Sequence, residues 1–462
     1  MAEQAKFLEG SLFRHVTVMS LTASIGLMAV FLVDFIDMVF IAMLGEASLA
    51  AAVGYAGAIL FFTTSFSIGM AIAVGALVAQ SLGAGQTGQA RARTSHGLFY
   101  GVLFGCAFSV LVWLNIATLV QLIGATGETA ALAAGYLRIV VPSLPFLVVG
   151  MMGGAVLRAY GDARRAMMAT IYGGLVNAVL DPVLIFGLGL DLTGAALASV
   201  GAWLTISATA LLPILRHHGG LIPPTTVGLM RDLPPIMSIG VPAILTQLAT
   251  PVGQAIVTRN MAQYGEGAVA GLAIVARLMP VAFGVVFALS GAIGPIIGQN
   301  FGARDFGRVR AAYLSALQFT GLVTITVSAI LFFLRAPIAD LFDAVGTTRD
   351  LVYLFCGPLA LAFFFNGMLF VSNAAFNNLG HPFYSTWMNW GRNTVAMIPL
   401  VYLGSTLLGP EGVLIGQAAA GFVFGLIAAF LAGRVIATGG DETPRPIFAR
   451  DGRLIALFNA RR

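Results

Sequence analysis

Twelve apolar stretches, each long enough to cross a bilayer, fill nearly the whole chain, and no other feature limits its fold as much. Cut at charged, glycine-rich and proline-rich breaks, they run over residues 15–44, 47–80, 95–123, 130–157, 164–189, 193–215, 236–262, 267–300, 310–335, 347–377, 383–406 and 411–437. A transmembrane helix needs about 20 apolar residues. Several stretches exceed that, which predicts helices that tilt, kink or project. Composition agrees: of 462 residues, 58% are hydrophobic and 9% charged, against about 25% charged in a soluble domain. A soluble globular protein, a disordered chain and a nucleic-acid binder are thereby excluded. Long unbroken runs indicate helices rather than the alternating strands of a membrane barrel. Cys106 and Cys356 lie inside such runs and read as small buried hydrophobes, not a disulfide or thiolate metal site. The first stretch is a full span, so it is expected to stay as a helix rather than be cleaved as a leader.

Charge predicts the topology. With the N-terminus inside, cytoplasmic segments hold 18 of the 24 basic residues. Lys6, Arg14, Arg91, Arg93, Arg158, Arg164, Arg165, Arg304, Arg308 and Arg310 are among them, and so are Arg445, Arg450, Arg453, Arg461 and Arg462 of the tail. Outer loops hold Arg335 and Arg349 beside eight acids. Such asymmetry predicts both termini in the cytoplasm of a bacterial inner membrane.

The chain also repeats itself. Gln80-Ser81-Leu82-Gly83-Ala84 recurs as Gln299-Asn300-Phe301-Gly302-Ala303, and Ala159-Tyr160-Gly161 recurs as Asn378-Leu379-Gly380 at the same offset. Gly45-Glu46 recurs as Gly265-Glu266 with an offset one larger. An even number of helices per repeat keeps both halves in one orientation, and substrate sites in such folds lie between the halves. The expected fold is an all-α polytopic membrane protein. Twelve transmembrane helices form two six-helix lobes related by a pseudo-twofold axis. The N-lobe covers 1–216, a cytoplasmic linker rich in proline 217–235, the C-lobe 236–437 and a cytoplasmic tail 438–462.

Of 19 acidic residues, only Asp34, Asp37 and Asp181 fall deep inside spans, all in the first half. A carboxylate at the bilayer centre costs about 2.5–3.5 kcal/mol on insertion scales. Three of them imply a cavity, a bound cation or a carried proton. Asp34 and Asp37 share a helical face, as do Asn177 and Asp181. Pro182 frees the carbonyl of Ala178 and could bend its helix. This hard-oxygen set suits H⁺ or Na⁺ and is poor for zinc. The competing reading neutralises the acids with buried arginines: Arg138 in the first half, or Arg259, Arg277 and Arg392 in the second.

Around these residues the chain resembles the multidrug and toxic compound extrusion (MATE) transporters. Asp37-Met38-Val39-Phe40-Ile41-Ala42-Met43-Leu44-Gly45-Glu46-Ala47 is similar to the family's first-helix motif. Asn177-Ala178-Val179-Leu180-Asp181-Pro182, running on to Gly194-Ala195-Ala196, resembles its fifth-to-sixth-helix signature. The paired Gln-x-x-Gly-Ala loops fit as well. The resemblance implies export of amphipathic, often cationic compounds by antiport against H⁺ or Na⁺, without ATP, by a monomer surrounded by lipid. It implies cation coupling by Asp37, Asn177 and Asp181, with Tyr136 and Ser199 beside them and Asp34 as an adjunct. Na⁺, if it is the coupling ion, would be held by Asp37, Asn177 and Asp181.

The chain also departs from the family. Met38 stands where the family usually has threonine. The second half has no acid within a span, and Gln254 occupies the repeat-equivalent of Asp34. The chain therefore looks like the branch that couples through its N-lobe, with H⁺ preferred. Cargo contacts are expected at Asp37, Gln254 and Asn366. A lipid-linked oligosaccharide flippase of the same superfamily is the alternative, kept open by the second-half arginines. No prenyl-diphosphate, metal-helix or nucleophile-base motif is present, and no cofactor or phosphate-binding loop, so neither an enzyme nor an ATPase is expected.

Overall fold

The computed structural model describes residues 5–439. The tail beyond Gly439, with Arg445, Arg450, Arg453, Arg461 and Arg462, lies outside the described residues. Those that are described are helical almost throughout, with no strand among them. The first half contains α1 (Leu12–Met43), α2 (Ala47–Gly83), α3 (Thr87–Leu114), α4 (Ile116–Leu122), α5 (Gly127–Val140), α6 (Leu144–Ala159), α7 (Ala163–Pro182) and α8 (Asp191–His217). The second contains α9 (Thr226–Met261), α10 (Glu266–Ala282), α11 (Gly284–Gly302), α12 (Phe306–Leu341), α13 (Thr347–Leu354), α14 (Ala360–Asn378), α15 (Pro382–Trp390) and α16 (Met397–Ala437).

Eleven helical stretches are long and apolar enough to cross a membrane. One of them, Pro382–Ala437, spans 56 residues and makes two passes. It reverses at Gly409 (φ 64°, ψ −141°), which only glycine adopts cheaply, and Pro410 follows. Here a Cβ on Gly404 would strike the carbonyl of Gly412, so the two passes touch backbone to backbone. The expected eighth helix is broken at Phe283 into α10 and α11. Twelve passes in two six-pass lobes result.

The interlobe segment differs from expectation. Thr225 caps α9, its hydroxyl accepting from the Gly228 amide at 3.2 Å, and Pro234 and Pro235 lie inside the helix. Non-helical chain is thus confined to 218–225, not 217–235. Each proline forfeits one helical hydrogen bond. Just before them Asp232, 2% exposed, is anchored on α3 by His96 Nδ1 at 2.6 Å.

The lobes meet along α1 and α2 on one side and α9, α11 and α12 on the other. The repeated loops pair there. A Cβ on Gly83 would strike the Gln299 carbonyl, and one on Gly302 the Gln80 carbonyl. Gln80 Nε2 donates to the Asn378 carbonyl at 3.0 Å, and Gln299 Nε2 to that of Ala159 at 2.8 Å. Phe7, 1% exposed, is wedged into the same seam. Its N–H donates to Gln299 Oε1 at 2.8 Å, and its carbonyl accepts from Arg308 Nη2 at 2.9 Å. Lys6 Nζ reaches the Gly161 carbonyl at 3.0 Å. The end of the bundle bearing the arginine-rich loops is closed.

The opposite end is open. Gly69 of α2 packs against Gly240 and Ile244 of α9. Phe62, Ala58 and Ala51 precede it by about two, three and five helical turns, on the same helix face, and all three are exposed. Along α9, Gln254, Ala255, Thr258 and Arg259 are likewise bare. A cleft therefore separates the lobes and narrows to the seam.

Below the seam, Asp162 caps α7. It accepts from the Arg165 amide at 3.2 Å and the Arg165 guanidinium at 2.6 Å, with His218 Nε2 at 3.3 Å. Burial pushes its carboxyl up, but the hydrogen bonds from Arg165 and His218 outweigh burial and hold it below its ordinary value. A carboxyl depressed in the folded state stabilises above its unfolded pKa, about 3.9, and loses that contribution as pH falls through the folded value. Asp162→Ala is expected to cost about 0.5–2 kcal/mol near neutrality. The gap should close below about pH 4, measured by thermal unfolding at both pH values. A gap that persists in acid would assign Asp162 to packing alone.

Candidate functional site

Two helices of the N-lobe, α1 and α7, bring the predicted acids together. The apolar face of α1 that packs on α7 carries Gly26, Val33 and Asp37: Gly26 abuts Met167, and Val33 abuts Gly174. Asn177 and Asp181, one turn apart on α7, face back toward it. Asn177 Nδ2 donates to Asp37 Oδ1 at 3.1 Å and to Asp181 Oδ2 at 2.8 Å. One amide thus joins carboxylates from two helices. Asn177 is 6% and Asp181 1% exposed. The second oxygen of Asp181 is buried with no hydrogen-bond partner, an acceptor the fold leaves free. Directly after Pro182 the helix widens into a π-turn, Val183–Gly187. Freed carbonyls and π-turns commonly accompany function inside helices.

Tyr136 of α5 and Ser199 of α8 form an adjacent pair, with hydroxyls 3.4 Å apart. Ser199 donates to the Ala195 carbonyl at 3.1 Å, so Tyr136 is the donor to Ser199. Both lie in the same lobe as the three carboxyls.

Asp34 is exposed, but not toward the bundle's surroundings. Val16, about five helical turns before it, and Ile41, about two turns after, share its helix face and are buried within the protein. Asp34 therefore borders the cleft. Gln254 and Asn366 lie apart from this cluster, with no contact joining them to it. Gln254 is exposed on the outer half of α9, and Asn366 sits against Gly421 with its Oδ1 buried and unpartnered.

None of the three intramembrane carboxyls makes an ion pair among the described residues. Arg138 is exposed, and its carbonyl receives Trp113 Nε1 at 3.3 Å. Arg277 lies 3.7 Å from the sulfur of Met38. Chemically the site offers two carboxyl groups, a free buried oxygen and an amide donor. Protonation of either carboxyl would remove its charge and add an O–H donor, while its other oxygen can still accept from the amide.

The sequence reading placed Arg158 in a loop. The structure puts it in the last turn of α6, pointing into the interface between the lobes, a position no local motif announces. The wedge of Phe7 was equally invisible, because its partners Gln299, Asn300 and Arg308 all lie in the other half of the chain.

A family profile described as MatE matches residues 23–183 and 242–403, more than half of the chain. The starts of the two matches, at 23 and 242, are separated by the offset of the internal repeat. A Shewanella oneidensis protein named FAD transporter is 29% identical over 441 residues, covering 94% of this chain and 97% of its own. The multidrug export protein MepA of Staphylococcus aureus is 23% identical over 418 residues, covering 89% and 92%. A crystal structure of a mutant Vibrio cholerae MATE transporter, VcmN, superposes with a TM-score of 0.88 at 22% identity, over 92% of this chain and 97% of that one.

Proposed function

The chain belongs to the MATE family of membrane transporters, and from that premise we propose that it exports amphipathic, often cationic compounds in exchange for H⁺, using Asp37, Asn177 and Asp181 as the coupling site. It is a transporter and not an enzyme. We place it in the bacterial inner membrane with the arginine-rich loops in the cytoplasm, so that the open cleft faces outward.

The observation that carries the reading is the amide of Asn177 shared by two carboxylates. In that position the NH₂ group, not an amide oxygen, faces the carboxylates, and we take H⁺ as the coupling ion. Sodium binding would need the Asn177 oxygen turned inward, so that Asp37, Asn177 and Asp181 all present oxygen. In the cycle, H⁺ arriving from outside neutralises the pair and weakens its hold on α1. α1 shifts against α7, and cargo leaves. One charge moving inward through 100 mV supplies about 2.3 kcal/mol, enough for more than a tenfold gradient of neutral cargo at about 1.4 kcal/mol per decade. Cationic cargo requires extra protons.

The test is efflux of a fluorescent cationic dye from proteoliposomes under separately imposed proton and sodium gradients. Efflux is expected with the proton gradient alone. Efflux driven by sodium at equal pH on both sides would replace H⁺ with Na⁺, and efflux with neither would remove coupling altogether.

A further inference from the structure

The cleft that the acids border at one level ends, about 20 Å further in along the helix axes, on a positive charge. Arg158 leaves α6 in its final turn, and its side chain runs outward, in the direction Cβ atoms tilt on a helix descending from the open side. A methyl group on Gly154 would sit 3.4 Å from its Nη1, and one on Gly291 of α11 4.0 Å from its Nε. The guanidinium therefore stands between the two lobes, above the closed seam. Gly291 lies on the face of α11 that meets Met28 at Gly284 and Ala79 at Gly298, yet Gly291 and its neighbour Ser290 are exposed. The guanidinium is part-buried, with this exposed stretch of α11 beside it.

The Arg158 side chain makes no hydrogen bond or ion pair with any described residue. A structural arginine at a helix end would satisfy the last carbonyls. Here those of Ala159 and Gly161 are already taken, by Gln299 and Lys6. Five donors and a full charge are left facing the floor of the cleft. Arg277, exposed and without an acidic partner, adds a second guanidinium higher up beside Met38. The forked donors of Arg158 suit the oxygens of a phosphate ester, which carries about −1.5 to −2 at neutral pH.

We propose that Arg158 is the cargo-binding residue for a phosphate ester, so that the cleft takes elongated amphipathic molecules whose phosphate sits on the floor and whose apolar body points toward the N-lobe acids. This rests on the reading of the cleft as the transport path.

The test compares two fluorescent probes that differ only by the phosphate, riboflavin and riboflavin 5′-phosphate, binding to the full-length purified protein. The unaltered protein is expected to bind the phosphate form about tenfold tighter or more. Arg158→Gln should reduce that ratio to near one, and Arg158→Lys, which keeps the charge without the fork, should give an intermediate value. Gly291→Asp sets a carboxylate beside the guanidinium in open space and should abolish the ratio while leaving Arg158 in place. Displacement of the probe by phosphatidylglycerol identifies a lipid headgroup as the source of the phosphate, and binding unaffected by that lipid identifies a soluble cargo. Equal affinities in the unaltered protein, or a ratio untouched by Arg158→Gln, would overturn the proposal. Failure of the transport reading would show separately, as loss of gradient-driven dye efflux from the unaltered protein.

Discussion

Asp37→Asn and Asp181→Asn are each expected to bring gradient-driven export to background while the protein still folds and inserts. The substitution keeps size and shape and removes only the group that takes up a proton. Asn177 retains an acceptor in either variant, since an amide oxygen replaces a carboxylate oxygen at 3.1 Å or 2.8 Å. The fold should therefore survive, at a cost of about 1–3 kcal/mol where a polar group is left unpaired. Asp181 is the more sensitive position, because its second oxygen is buried and unpartnered and an NH₂ there is desolvated. Asp34→Asn should reduce export only a few-fold, since Asp34 borders the cleft outside the amide bridge. The measurement is dye efflux from proteoliposomes carrying equal amounts of each variant, with expression and melting temperature checked in parallel. Wild-type efflux by either Asp37→Asn or Asp181→Asn would dissolve the coupling site.

How much of this site could be read in the chain follows from distance along it. Asn177 and Asp181 are a helical turn apart, so periodicity alone placed them on one face. The apolar runs marked the passes, because a bilayer demands length and apolarity from each segment separately. The internal repeat anticipated two lobes, and its most similar loops are the ones that touch. Features made by residues far apart in the chain left no such mark. Nothing near Phe7 announces Gln299 or Arg308 as partners, and Arg158 looks like any loop arginine until α11 is laid beside α6. The start of α9 was misplaced because two adjacent prolines usually end a helix. The contact beside them, Asp232 with His96, joins helices from different lobes.

The seam between the repeated loops sets the second large expectation. Replacing a helical glycine by a residue with a side chain usually stabilises or is neutral, since glycine costs about 0.5–1 kcal/mol relative to alanine in a helix. At Gly83 and Gly302 the sign should reverse for function. The space a Cβ would need is held by the backbone carbonyls of Gln299 and Gln80, which cannot rotate away as a side chain can. Gly83→Val or Gly302→Val must therefore part α2 from α11. Each lobe retains a buried core of its own, Val257–Ala420 in one and Ile41–Leu192 in the other, so the protein stays folded with the arginine-rich end ajar. Alternating access then fails, and export falls to background. Access can be read directly after replacing Cys106 and Cys356 by serine and placing a single cysteine at Ser290, on the cleft floor. An impermeant thiol reagent should label it only from the open side in the unaltered seam, and from the arginine-rich side as well in either valine variant. Labelling confined to the open side, together with normal export, would mean that the seam yields without cost and does not hold the gate.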